Sequence, residues 1–240
     1  MSRRPVVGIL GGMGPEATVD LFAKIIRATP ARRDQDHLHI VIDNRPQVPD
    51  RTAAIFGQGE DPLPELLRGL RLLLTAGVDL IAMPCNTAHY FHRDLQAAAG
   101  GVPVLHMMQE VAAYCRRQPA DLRRVGLLAT TGTLRSRLYQ VALAAADLEV
   151  LIPDAQGQER VMRAIYDPQT GIKAGHYAEP RRLLRAEAAR LVRRGAQAVI
   201  AGCTEIPLAL SPADVDVLYI DATEVLARAV VRRAQQLAAG

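Results

Sequence analysis

One interval governs this chain: residues that look alike recur 118 positions apart. Gly8 in "VGILGGMG" has its counterpart in Gly126 of "VGLLATTG" (126 − 8 = 118), and Gly14 in Gly132. Pro62 and Pro180 open two similar helix-like runs, Gly77 and Gly195 close them, and Cys85 in "GVDLIAMPCNT" matches Cys203 in "GAQAVIAGCTE". A fixed period of this kind is a folding unit made twice, and the register is expected to hold over most of each half. Within a copy, strand-like runs alternate with helix-like ones: "PVVGIL", "PEATVDLFAKIIRAT", "HLHIVID", "PLPELLRGLRLLLTAG", "VDLIAM". That βαβ rhythm predicts an α/β fold of two pseudo-symmetric lobes, each a mostly parallel sheet flanked by helices. The expected division is residues 1–103 plus 213–240 for the first lobe and 104–212 for the second, with the C-terminal helix packing back on the first.

Composition removes several classes of function. Hydrophobic residues make up 49% and charged residues 22% of the 240, an ordinary balance for a globular protein. The net charge of +4 is mild, and with 4% aromatics and no Trp there is little to stack nucleic-acid bases. Arginine-rich stretches such as "EPRRLLRAEAARLVRRG" read as solvated helix faces. No apolar run is long enough to cross a membrane, and the start "MSRRPVVGILGG" is too broken for a signal peptide. Three widely spaced cysteines do not make a disulfide framework. A cytoplasmic setting with free thiols is expected, in which a special cysteine is catalytic or metal-binding rather than structural.

Cys85 and Cys203 each sit just past an apolar strand and before a helix start, and ligands bind at that edge of parallel sheets. A pseudo-twofold axis would bring the two thiols to opposite sides of one cleft. There one thiolate can remove a proton from a carbon while the other thiol returns a proton to the opposite face. Helix N-termini would favour the thiolate and an anionic ligand. Backbone N–H groups of Asn86, Thr87, Thr204 and Glu205 could hold a carboxylate and accept charge as a carbanion forms. Plain capping by Asn86, Thr87 and Thr204 is compatible with the same geometry. "ATTGT" repeats the position of "GGMGP", so Met13 and Thr131 are expected to line the cleft, although packing alone explains Met13 equally well.

"MPCNTAH", "AGCTEIPL" and "LGGMGPEAT" together resemble the aspartate racemase branch of the aspartate/glutamate racemase family, over essentially the whole chain. The glutamate racemases of the cell-wall pathway instead resemble "CNTAS" and "CTHYP"; this chain carries His89 and Glu205 at the divergent positions. The resemblance implies two α/β lobes with the active site in the cleft between them. It also implies Cys85 and Cys203 as alternating acid and base, no cofactor, an acidic amino-acid substrate with aspartate foremost, and a homodimer. "VPDRT" resembles the segment whose arginine contacts a substrate carboxylate, which implies Arg51, and "IYDPQTGIKAG" the segment supplying a lysine, which implies Lys173. Lys173 also stands out unaided: the 29 basic residues include two lysines, and this one lies in a glycine-flanked loop.

Other readings compete. "GMGPEA" matches G-x-G-x-x-A between a strand and a helix, with Asp43 ending the next strand, as in a nicotinamide-dependent oxidoreductase. Cys85, His89 and His92 could be metal ligands, but their spacing is poor and helix-surface positions are expected for the histidines. A pyridoxal enzyme needs a Schiff-base lysine, and neither Lys24 nor Lys173 has the surroundings for one. A thiol-redox or binding protein explains one exposed cysteine but not two in matching contexts. Cys115 has no counterpart in the repeat and reads as a residue without chemistry. Within the resembled family, a broad-specificity or glutamate racemase is the nearest rival, since fold does not fix substrate.

Overall fold

A computed structural model describes residues 4–118 and 121–239. The chain divides into two compact units, Met1–Glu110 with Thr223–Gly240, and Val111–Ala222.

The first unit contains β1 (Val6–Gly11), α1 (Pro15–Ala28), β2 (His39–Asn44), α2 (Arg51–Ile55), α3 (Leu63–Thr75), β3 (Leu80–Ala82) and α4 (His92–Ala98). In α5 (Met107–Cys115) the chain passes from this unit to the second. The sheet is parallel in the order β2-β1-β3, and Val104 adds a parallel bridge to Ile81. Strand β1 is buried at every position, as an apolar run between two covered faces must be. Leu66, Leu70 and Leu73 form the buried stripe of α3 at helical spacing.

The second unit runs β4 (Arg124–Leu128), α6 (Thr131–Ser136), α7 (Leu138–Ala144), β5 (Glu149–Leu151), α8 (Ala155–Tyr166), α9 (Ala178–Arg193), β6 (Ala198–Ala201), α10 (Ile206–Ala209) and β7 (Leu218–Asp221). Then α11 (Ala222–Ala239) returns to the first unit. Its parallel sheet has the order β5-β4-β6-β7.

The ladders test the repeat directly. Val7 pairs with Leu80 in the first sheet and Val125 with Ala198 in the second, both at the 118-residue offset. The stripe of α3 recurs on α9 as Leu184, Ala188 and Leu191 at the same offset. Gly77 (φ 75°) and Gly195 (φ 97°) end these helices in the left-handed region, which glycine enters without steric cost. The register is broken in one place. Val6 pairs with His39 and Arg124 with Glu149, so the second strand is offset by 110 (149 − 39). The expectation of continuous register therefore needs correcting there: the first unit has a longer link before its second strand, and the second unit spends the difference on α8.

Candidate active site

In the first unit the chain leaves β3 at Met83. The Cys85 N–H donates to the Met83 carbonyl at 2.9 Å and closes a three-residue turn over Pro84. Cys85 is thus at the C-terminal edge of the sheet, buried, with a free thiol. Asn86 and Thr87, both buried, lead into a 3₁₀ turn, Thr87–Phe91, and then α4. In the second unit Cys203 stands at the matching edge, past β6, also buried and free. Thr204 and Glu205 follow, buried, and then the four-residue α10.

The helix start expected after Cys203 is thus a single turn, and that after Cys85 is a five-residue 3₁₀ stretch ahead of α4. Ser211 precedes Pro212, which turns the chain away from helix just after α10. Asn86 and Glu205 hold the cap positions, but neither side chain makes a capping hydrogen bond. The macrodipole argument weakens accordingly, because its strength comes from aligned peptides over several turns.

The surroundings of the two thiols differ. Cys203 Sγ donates to Glu205 Oε2 at 2.9 Å, and Thr204 Oγ1 donates to the same oxygen at 3.3 Å. Lys173 Nζ reaches Glu205 Oε1 at 2.7 Å and lies 5.4 Å from the Tyr166 ring centre. Burial, then the Glu205 charge, raise the Cys203 thiol well above its ordinary range, against the pull of Lys173. Burial also works to raise Glu205, but Lys173 and the thiol outweigh it and keep its carboxyl below the usual value. The result is a protonated thiol resting on a carboxylate that a lysine keeps ionised. Sequence reasoning assigned Lys173 and Glu205 to substrate; in the structure the two form an ion pair with each other.

On the first unit's side, Arg51 is buried at the start of α2. Its Nη1 donates to the Val48 and Pro49 carbonyls at 3.0 and 2.9 Å, and its Nη2 approaches the Met13 carbonyl at 3.5 Å. Met13 is buried in the hydrophobic cluster that also contains Cys85. Thr131 begins α6; its N–H meets Met162 Sδ at 3.2 Å and its Oγ1 accepts from Gln158 Nε2 at 3.2 Å. In the first unit the structure therefore gathers Met13, Arg51, Cys85, Asn86 and Thr87. In the second it joins Lys173, Cys203, Thr204 and Glu205 through hydrogen bonds, with Thr131 at the corresponding first-strand turn.

One expectation changes, and one competing reading loses support. His89, read as a helix-surface residue, is almost wholly buried, with both ring nitrogens hydrogen-bonded. No signal in a lone "CNTAH" distinguishes that from exposure. The Gly12–Gly14 turn also does not present a dinucleotide cradle. The Gly12 N–H donates to Thr18 Oγ1 at 2.9 Å, and a Cβ at Gly12 would fall on the Arg45 backbone. Asp43 turns instead to Arg45 Nε at 3.1 Å and fills the space left by Gly69. Among the described residues, no three His, Cys, Asp or Glu side chains converge to hold a metal ion, and no helix is long and apolar enough to cross a membrane. Cys115 is buried, and loss of solvent pushes its thiol up to about 11.

Comparison with known proteins adds a second line of observation. Residues 10–230 match the family model described as Asp/Glu/Hydantoin racemase. The broad specificity amino-acid racemase RacX of Bacillus subtilis is 28% identical over 94% of this chain and 96% of its own. An aspartate racemase structure from Picrophilus torridus superposes with a TM-score of 0.81 at 31% identity, covering 96% of this chain and 94% of that one. A glutamate racemase from Francisella tularensis shares the fold at a TM-score of 0.62 and 16% identity, covering 98% of this chain and 82% of that one.

Proposed function

The chain belongs to the Asp/Glu/hydantoin racemase family, and on that premise we propose that it interconverts L- and D-aspartate without a cofactor, using Cys85 and Cys203 in turn. The observation that carries this reading is the equivalence of the two thiols. Each follows the strand that pairs with the first strand of its unit, at one 118-residue offset. Each stands where a parallel sheet offers ligands its edge.

One thiolate takes the Cα proton, and the electron pair left behind spreads into the substrate α-carboxylate. The other thiol gives its proton to the opposite face, so the product is the mirror image and the two cysteines exchange protonation states. Backbone N–H groups beside Asn86, Thr87, Thr204 and Glu205 are the donors for that carboxylate as charge develops. Cys203 begins as the protonated partner, held by its bond to Glu205. When it must act as base, the Glu205 carboxylate is 2.9 Å away to receive the thiol proton. Arg51 and Lys173 supply positive charge for a second carboxylate on the substrate. The Picrophilus relative supports aspartate; the RacX relative supports a wider range of amino acids.

Incubation in D₂O with a panel of L- and D-amino acids, no cofactor added, tests both. Solvent deuterium at Cα of inverted aspartate is the expected result. Inversion of many amino acids with no preference for aspartate would replace the substrate assignment with broad specificity. Full interconversion by both Cys85→Ala and Cys203→Ala would end the two-thiol mechanism.

A further inference from the structure

Cys203 has a carboxylate two residues on, whereas the equivalent position after Cys85 is Thr87. The Cys85 turn has a different partner. Met107 N–H can only donate, and it meets His89 Nε2 at 3.1 Å, nearer than the Leu105 carbonyl at 3.3 Å, so Nε2 carries a lone pair. The single hydrogen of the neutral ring is then on Nδ1, which donates to the Cys85 carbonyl at 2.8 Å. His106 and His92 flank the ring, with centroids 5.4 and 6.0 Å away. Burial, reinforced by His106, pushes the His89 pKa down to about 3, so the ring stays neutral through the neutral range. The repeat has no such brace: position 207 is proline, and the Cys203 carbonyl accepts the Ile206 N–H at 3.0 Å.

We infer that His89 is a positioning residue for Cys85, fixing the carbonyl of that cysteine against the first turn of α5 and so setting the direction in which Sγ leaves the backbone. The helix it braces against is the one in which the chain crosses from the first unit to the second. The kinetic consequence rests on the two-thiol reading; the geometric one concerns Cys85 alone. A histidine that merely satisfied the core would make its two hydrogen bonds interchangeable in effect. A positioning residue makes the bond to Cys85 the one that matters.

Two variants separate the bonds. His89→Asn keeps a donor near Nδ1 and gives up Met107. His89→Gln offers an acceptor near Nε2 and gives up the Cys85 carbonyl. Iodoacetamide modification, mapped by peptide mass, reads Cys85 and Cys203 in one sample. His89→Gln is expected to change the Cys85 rate by about tenfold and leave Cys203 unchanged, since a misplacement of ~1 Å costs up to ~10²-fold. His89→Asn is expected to stay within about threefold of the parent at both thiols. The primary deuterium isotope effect on kcat/KM should rise in one direction of racemisation only, that in which Cys85 is the base. Equal changes at both cysteines, equal effects of the two variants, or an unmoved Cys85 in folded His89→Gln would overturn the inference. Should His89→Gln fail to fold, loss of thiol selectivity in His89→Asn would overturn it and retention would support it. A parent protein that racemises nothing would defeat the proposed function, while the alkylation results would still judge His89.

Discussion

The Cys203 thiol is hydrogen-bonded to a carboxylate, and Lys173 completes a three-residue chain by pairing with that carboxylate. Glu205 stabilises the proton on sulfur, while Lys173 stabilises the charge on Glu205, so the proton rests on sulfur with a carboxylate acceptor in hydrogen-bond reach. Removing the Glu205 charge should move the balance in a fixed direction. An anion beside a thiol disfavours the thiolate, so in Glu205→Gln the pH profile for alkylation of Cys203 is expected to shift to lower pH. Turnover should fall by ~10²-fold, within the range for loss of a positioned acid–base group. A shift of the profile to higher pH would contradict the assignment of Glu205 as the charge that holds the proton on Cys203. The cysteines were legible in the sequence because they repeat at one interval. The Lys173–Glu205 pair was not, because 32 residues separate the partners and nothing local marks two loops as neighbours.

At the scale of elements, the two units solve one packing problem in opposite ways. On α3, Gly69 leaves room for the Asp43 carboxylate arriving from β2. At the equivalent place on α9 stands Glu187, a buried carboxylate between Arg160 and Arg190, and the glycine is now Gly157 on α8. Small residue and acid have changed elements while the volume stayed filled, as dense interiors require. A third buried carboxylate, Asp214, ties α9 to the loop before β7. It accepts from Arg181 Nε at 2.8 Å and from the Ser211 N–H and hydroxyl at 2.9 and 2.8 Å. Burial would raise this carboxyl, but Arg181 and Ser211 outweigh it and hold the pKa at about 2. A depressed carboxylate contributes stability above its unfolded pKa of ~3.9, and the contribution fades as pH falls toward the folded value. Urea unfolding of Asp214→Asn should therefore show its full deficit against the parent at pH 6 and a shrinking one from pH 4 to pH 2. A deficit independent of pH would mean that Asp214 acts through packing alone.

For the whole molecule, the decisive element is α11, the last in sequence but a part of the first unit. It buries Val225, Leu226, Val230 and Val231, together worth on the order of 6–12 kcal/mol at ~1.5–3 kcal/mol each. That rivals the ~5–15 kcal/mol by which a domain is stable at all. Deleting Thr223–Gly240 should therefore raise amide hydrogen exchange across β1, β2 and β3 while β4 to β7 keep their protection. Uniform loss in both sheets would mean that the second unit depends on the first. The sequence by itself determined the duplicated α/β design, the parallel sheets and the sheet-edge position of both cysteines, because periodicity, strand ends and repeat interval are local or periodic signals. Tertiary structure alone decided that Glu205 and Lys173 meet, that His89 is an internal brace and that Arg45 closes the glycine turn. Each of these depends on which distant segments share a volume, and hydrogen-bond partners are chosen there by proximity rather than by neighbours in the chain.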